Sequence, residues 1–180
     1  MSITVLVGNP RPGSRTATAA LAAARHVAEA SGLPDDSGLV DLVVLAPSLL
    51  LPGPPGEVTG ALERVAGADL LVVASPTYKA TYSGLLKVFL DLLPGDALTG
   101  VTALPLLVMG SSAHTLAVEV HLRPLLVELG AHVPSPGLAV LQDTVPSDGA
   151  RAPELDALLA PWAERIAPRI RSRRHNRATV

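Results

Sequence analysis

Ile3-Thr-Val-Leu-Val7 runs directly into Gly8-Asn9-Pro10-Arg11-Pro12-Gly13-Ser14-Arg15-Thr16. A short apolar run of this kind, β-branched and without strict alternation, suits a strand buried on both faces of a parallel sheet. The Pro- and Gly-bearing turn stops it, and a helical pattern follows over residues 16–31. The same succession recurs where Leu70-Leu-Val-Val-Ala74 meets Ser75-Pro76-Thr77-Tyr78-Lys79-Ala80-Thr81-Tyr82-Ser83-Gly84. Further apolar runs lie at 39–45, 104–109 and 138–141, and helical patterns at 57–66, 83–93, 114–129 and 154–170.

Strand and helix thus alternate about five times, which argues a three-layer α/β sandwich with right-handed crossovers. The expected sheet is five-stranded and parallel, in the flavodoxin-like order 2-1-3-4-5. A chain of 180 residues holds one substantial core rather than two, so residues 1–170 read as a single domain and 171–180 as a basic, flexible tail. Leu51-Pro-Gly-Pro-Pro-Gly56 is turn-prone but too short to link domains, and reads as a surface connection.

The apolar content comes from Leu, Val and Ala, with only two Tyr, one Trp and one Phe. The core is therefore aliphatic, and a flat ligand must be held by backbone and loop atoms rather than between aromatic rings. A net charge of −2 gives no electrostatic case for nucleic acid. The absence of cysteine excludes disulfides, thiolate catalysis and cysteine-ligated metals. No basic leader with a long apolar stretch opens the sequence and no apolar run reaches membrane-spanning length, so a cytoplasmic protein with no membrane partner is expected. The five histidines form no HxxxH or HExxH pair, and no metal site is expected. Ser111 and Ser112 lack a GxSxG elbow, and no acid–base pair stands out.

In an open parallel sheet, ligands bind beyond the carboxyl ends of the strands, where strand order reverses. The first loop suits a phosphate dianion there. Gly13 permits close backbone approach, Ser14, Thr16 and Thr18 offer hydroxyls, Arg11 and Arg15 offer charge, and the following helix points its N-terminal amides at the same place. Gly8 and Gly13 have Walker A spacing, but Ser14 and Arg15 stand where its Lys and hydroxyl residue belong. Pro10 likewise breaks the dinucleotide fingerprint, leaving a terminal monophosphate as the best fit.

The second loop faces the first across the crevice. Pro76 fixes one backbone angle, and the amides after it are expected to remain free for ring heteroatoms. Both tyrosines of the chain, Tyr78 and Tyr82, fall in this segment. The helix at 83–93 is apolar on most sides, with Lys87 and Asp91 at i and i+4, and such helices are often buried between subunits. Together the loops suit a phosphate cradle and a ring platform for one mononucleotide.

Val7-Gly-Asn-Pro-Arg-Pro-Gly-Ser-Arg-Thr16 and Ala74-Ser-Pro-Thr-Tyr-Lys-Ala-Thr-Tyr-Ser-Gly-Leu-Leu-Lys-Val-Phe-Leu-Asp-Leu-Leu-Pro94 resemble the signature segments of NADPH-dependent FMN reductases. The closest resemblance is to the sulfonate-assimilation type, which supplies reduced flavin to a separate monooxygenase. It extends through Gly110-Ser111-Ser112-Ala113-His114 and the helix through Arg123-Pro124. The resemblance implies that Arg11, Ser14, Arg15 and Thr16 hold the FMN phosphate. Pro76, Thr77, Tyr78 and Lys79 would line the isoalloxazine edge, with Gly110, Ser111 and Ser112 facing the cofactor from the loop after the fourth strand. Hydride transfer from NADPH, or NADH, is then borne by the flavin, and no catalytic side chain is required. A homodimer or homotetramer and a flavin-dependent monooxygenase are the implied partners. Two other readings of such a chain are a reductase of quinones, azo dyes or chromate that keeps its FMN bound, and a flavodoxin-like electron carrier. The carrier is disfavoured because it usually sandwiches the ring between aromatics, whereas the one tryptophan here, Trp162, lies in the C-terminal helix. Sulfonate-type enzymes typically carry an inserted aromatic or histidine that produces a π-bulge at the tetramer interface. Val120 stands at that position here, with His121 beside it, so the resemblance leaves the bulge open.

Overall fold

The computed structural model describes residues 1–147 and 152–178, with side chains described as far as 172. Five parallel strands form one sheet in the order β2-β1-β3-β4-β5. They are β1 (Ile3–Val7), β2 (Gly38–Asp41), β3 (Leu70–Pro76), β4 (Thr102–Met109) and β5 (Leu138–Leu141). β1, β3 and β4 are buried along their whole length, which is why their sequences are apolar but for one hydroxyl residue in each, Thr4, Ser75 and Thr102.

Alternate strand residues feed two cores. Ile3, Val5, Val7, Leu70, Val72 and Ala74 pack against α1 (Arg15–Ser31) and α6 (Pro153–Ala178). Leu6, Leu71 and Val73 pack on the other side, with α3 (Gly56–Ala66), α4 (Gly84–Leu90) and α5 (Arg123–Glu128). A run of small residues, Ala19, Ala20, Ala23 and Ala24, lets α1 lie close to both the sheet and α6. Trp162 is buried in α6, and its indole N–H donates to the Pro136 carbonyl at 3.2 Å.

Several elements depart from the sequence expectation for identifiable reasons. The apolar run 39–45 is not one strand. It breaks at Asp41, whose carboxylate accepts from the Val43 amide at 3.4 Å and caps the short α2 (Leu42–Leu45). Leu42 and Leu45 are buried three residues apart while Val44 is exposed, a helical spacing too brief to show as periodicity. β3 runs on through Ser75 and Pro76. The Thr77 N–H points to Val108 in β4, so the missing N–H of Pro76 falls on the opposite side, past the end of β1 at Val7. The expected helix at 114–129 is composite: a 3₁₀ turn at Ser112–His114, a π turn at Val118–Leu122, and α5. The bulge left open by the sequence is therefore present. α6 continues as far as Ala178, into the segment expected to be a tail, whose last two residues lie outside the described ones.

Candidate functional site

The order reverses between β1 and β3, and the loops that leave these two strands lie side by side. The Gly8 amide donates to the Ala74 carbonyl at 2.8 Å. Ser83, 2% exposed, then ties the loops together: its Oγ donates to the Gly8 carbonyl while accepting from the Leu86 amide at 3.1 Å as the N-cap of α4. Its own amide donates to Ser75 Oγ at 2.8 Å. Gly8 is required by packing, because a Cβ there would sit 2.5 Å from Leu86 Cβ. Ser83 was not singled out from sequence, and Gly8 was weighed there only for its Walker A spacing with Gly13. The signal available was the serine immediately before an apolar helical run.

The first loop is shaped by Asn9, also not singled out. Its buried carboxamide donates to Thr16 Oγ1 at 2.9 Å and accepts from the Arg11 amide at 3.0 Å, an Asx turn that curls the loop around the start of α1. Ser14 Oγ caps α1 by accepting from the Ala17 amide at 3.2 Å. Helix geometry then leaves the amides of Arg15 and Thr16 without intrahelical partners. Gly13 takes φ +60° with nothing within 4 Å of where a Cβ would be, so an anion can approach the backbone there. Arg11 and Arg15 are exposed and make no ion pair among the described residues. Thr16 is buried with its oxygen engaged by Asn9, which leaves its hydroxyl proton to donate. Thr18 turns elsewhere. Its hydroxyl lies 3.5 Å from the Ser14 carbonyl, and it lines a separate cleft of about 810 Å³ with Arg25, His26 and Asp156.

In the second loop, the amides of Thr77 and Tyr78 are not free, contrary to expectation. Thr77 N–H donates to the Val108 carbonyl at 2.8 Å, and Tyr78 and Thr81 exchange backbone hydrogen bonds at 2.8 and 3.1 Å. Between them Lys79 (φ 51°) and Ala80 (φ 67°) form a type I′ turn. Two non-glycine residues in the left-handed region are strained, and their amides are the ones such a turn leaves open. The Thr77 hydroxyl oxygen is buried and has no hydrogen-bond partner among the described residues, an orphaned polar atom beside the crevice. Gly110, Ser111 and Ser112 leave β4 at the same end of the sheet and are exposed. Ser111 Oγ accepts from the Ala113 amide at 3.3 Å, and Gln142 lies alongside Gly110, 3.5 Å from the place of a Cβ.

These groups fit a flavin mononucleotide: free guanidiniums and helix amides at one end, an unsatisfied hydroxyl and open turn amides at the other. Among the described residues no cluster of three metal-ligating side chains occurs, and no helix is long and apolar enough to cross a membrane.

Strand order and crevice together define a flavodoxin-like α/β fold. It superposes on a flavodoxin from the domain Archaea with a TM-score of 0.62 at 16% identity, covering 94% of this chain and 99% of that one, a likeness of fold alone. The family model for NADPH-dependent FMN reductase matches residues 1–144, and the chain belongs to that family. An NADH:FMN oxidoreductase in its apo form is similar at 35% identity and a TM-score of 0.76, covering 94% of this chain and 88% of the other. The FMN reductase (NADPH) of Escherichia coli K12 is 54% identical over 69 residues, 38% of this chain and 36% of that protein. The NADH-dependent FMN reductase SfnF of Pseudomonas fluorescens Pf0-1 is 38% identical over 104 residues, 55% of this chain and 56% of that one. The matched segments thus span less than two thirds of these curated relatives.

Proposed function

We propose that the chain is an NAD(P)H-dependent FMN reductase that passes reduced flavin to a partner monooxygenase in the cytoplasm. The observation that carries this reading is the pair of tied loops at the β1/β3 switch point, one built for a phosphate and the other for a polar ring edge. Arg11 and Arg15 supply the charge that a phosphate dianion pairs with, and the Arg15 and Thr16 amides, the Ser14 hydroxyl and the Thr16 hydroxyl complete its donors. Pro76, Thr77, Tyr78 and Lys79 border the ring. The Thr77 hydroxyl gains there the partner it lacks, and the Lys79 and Ala80 amides meet ring heteroatoms. Gly110, Ser111 and Ser112 close the third side, and the absence of side chains from Gly110 keeps a face open for the nicotinamide.

FMN held in this way supplies the redox chemistry, accepting hydride from the reduced nicotinamide. The protein orients the two reactants and keeps the ring at the mouth of an open crevice, from which a flavin can leave. Leu116, Val120 and Val127, exposed by 70%, 57% and 54%, repeat along one helical region and support self-association as a homodimer or homotetramer. Sedimentation of the purified protein measures this directly.

The test is oxidation of NADPH and NADH with and without added FMN, with the absorbance spectrum of the protein recorded as isolated. Oxidation that saturates with free FMN supports the reading. A yellow protein with ping-pong turnover that needs a quinone or dye would replace it by the bound-flavin reductase, and a colourless protein that neither binds FMN nor oxidises either nucleotide would remove both.

A further inference from the structure

Glu119 and Arg123 form a network that the flavin loops do not account for. The π turn Val118–Leu122 is wider than an α-helical turn and holds one additional residue, so it persists only where its surroundings hold it. Glu119 grips in two directions: Oε2 takes Arg123 Nε at 2.7 Å, and Oε1 accepts from the Gly137 amide. Arg123 donates from Nη1 to the Val133 carbonyl at 3.0 Å and from Nη2 to the Ser135 carbonyl. Gly137 completes the contact, because a Cβ there would run into Val118 Cγ2. An acid, a base and a glycine thus staple the π turn to the segment entering β5.

The two ends of this helix are anchored unequally. Downstream, Leu122 and Leu126 are fully buried and fix α5. Upstream, residues 110–113 and 115–116 are exposed, and the 3₁₀ turn that holds Ser111 and Ser112 is secured by short-range bonds, such as Thr115 Oγ1 to the Ser112 carbonyl at 2.7 Å. If the staple opens, the π turn relaxes to α geometry by passing its additional residue upstream, which displaces Ser111 and Ser112. We propose that Glu119 and Arg123 are positioning residues: they keep the π turn wound and so set Ser111 and Ser112 against the flavin. The proposal rests on the FMN reading above.

The test uses the full-length, flavin-free protein and its Glu119→Ala and Arg123→Lys variants. Arg123→Lys keeps the charge but cannot reach Glu119 and both carbonyls together. FMN affinity is measured by equilibrium dialysis, and amide hydrogen exchange is followed over residues 116–123. Glu119→Ala is expected to weaken FMN binding on the order of tenfold, within the range by which residues in such networks modulate a distant site. Arg123→Lys is expected to shift it in the same direction, and both variants to exchange faster across the π turn. A variant with native Trp162 fluorescence and an FMN affinity within about twofold of the parent overturns the proposal. If Glu119→Ala does not fold, Arg123→Lys decides by the same threshold. A parent protein that fails to bind FMN overturns the FMN reading itself, whereas parent binding with unchanged variants overturns only the positioning role.

Discussion

Replacing Ser83 by alanine removes one buried oxygen that serves both crevice loops. The hydroxyl caps α4 through the Leu86 amide and satisfies the Gly8 carbonyl, and the side chain is 2% exposed, so water cannot take over either task. Loss of the cap costs about 1 kcal/mol. A buried carbonyl left unpaired costs about 1–3 kcal/mol more. The sum, about 2–4 kcal/mol, corresponds to a fall in Tm of about 4–16 °C for a domain of this size. Urea unfolding followed by Trp162 fluorescence measures it cleanly, because the single tryptophan sits in α6, on the opposite face of the sheet from α4, and reports the global transition. Ser48→Ala is the matched control. Its hydroxyl donates to Glu57 at 3.0 Å in an exposed setting, and its loss should stay within about 0.5 kcal/mol. A Ser83→Ala protein as stable as that control would refute the role given to the tie.

Gly8→Ala places a methyl against Leu86 and should destabilise by about 1–3 kcal/mol in the same unfolding assay, with FMN affinity falling as the first loop is pushed off α4. Arg15→Ala should weaken FMN about 10- to 100-fold at low salt while leaving riboflavin binding unchanged, as read by flavin fluorescence titration; equal losses for both flavins would move the phosphate elsewhere. Burial raises the Asp41 carboxyl above its ordinary value, against a smaller opposing effect of the Val43 amide. The native state therefore binds that proton more tightly. The associated stability is present in acid and is lost as pH rises through the raised native value. Asp41→Asn keeps a capping oxygen without the charge and should flatten this decline, whereas Asp41→Ala should lose about 1 kcal/mol of cap; denaturation midpoints between pH 3 and 7 distinguish them.

The strands were legible wherever burial on both faces made the code redundant: every residue of β1 but Thr4, and nearly every one of β3, is an apolar or small side chain that could face either core. The code failed at 39–45, where one aspartate inside an apolar run redirects the chain and the helix it starts is a single turn. Both crevice loops were legible as loops because proline and glycine punctuate them. Their internal wiring was not. Asn9 reaches Thr16 and Ser83 reaches Gly8 only after the fold has brought them together, and which amides remain open after Pro76 depends on the register of β3 against β4. The π turn was least legible. Glu119 and Arg123 stand at the spacing of an ordinary i, i+4 helix pair, and what sets them apart is the Gly137 amide, 18 residues away from Glu119.

The Ser83 to Gly8 bond also bears on the timing of binding. On the FMN reading proposed above, this bond settles the relative placement of the two loops before a flavin arrives, so that binding carries little ordering cost. Residence time then follows the contacts themselves, so a change that weakens them shortens the stay of the flavin without slowing its arrival. On the proposed function, in which reduced flavin passes to a second protein, loops placed in advance favour rapid exchange over long retention.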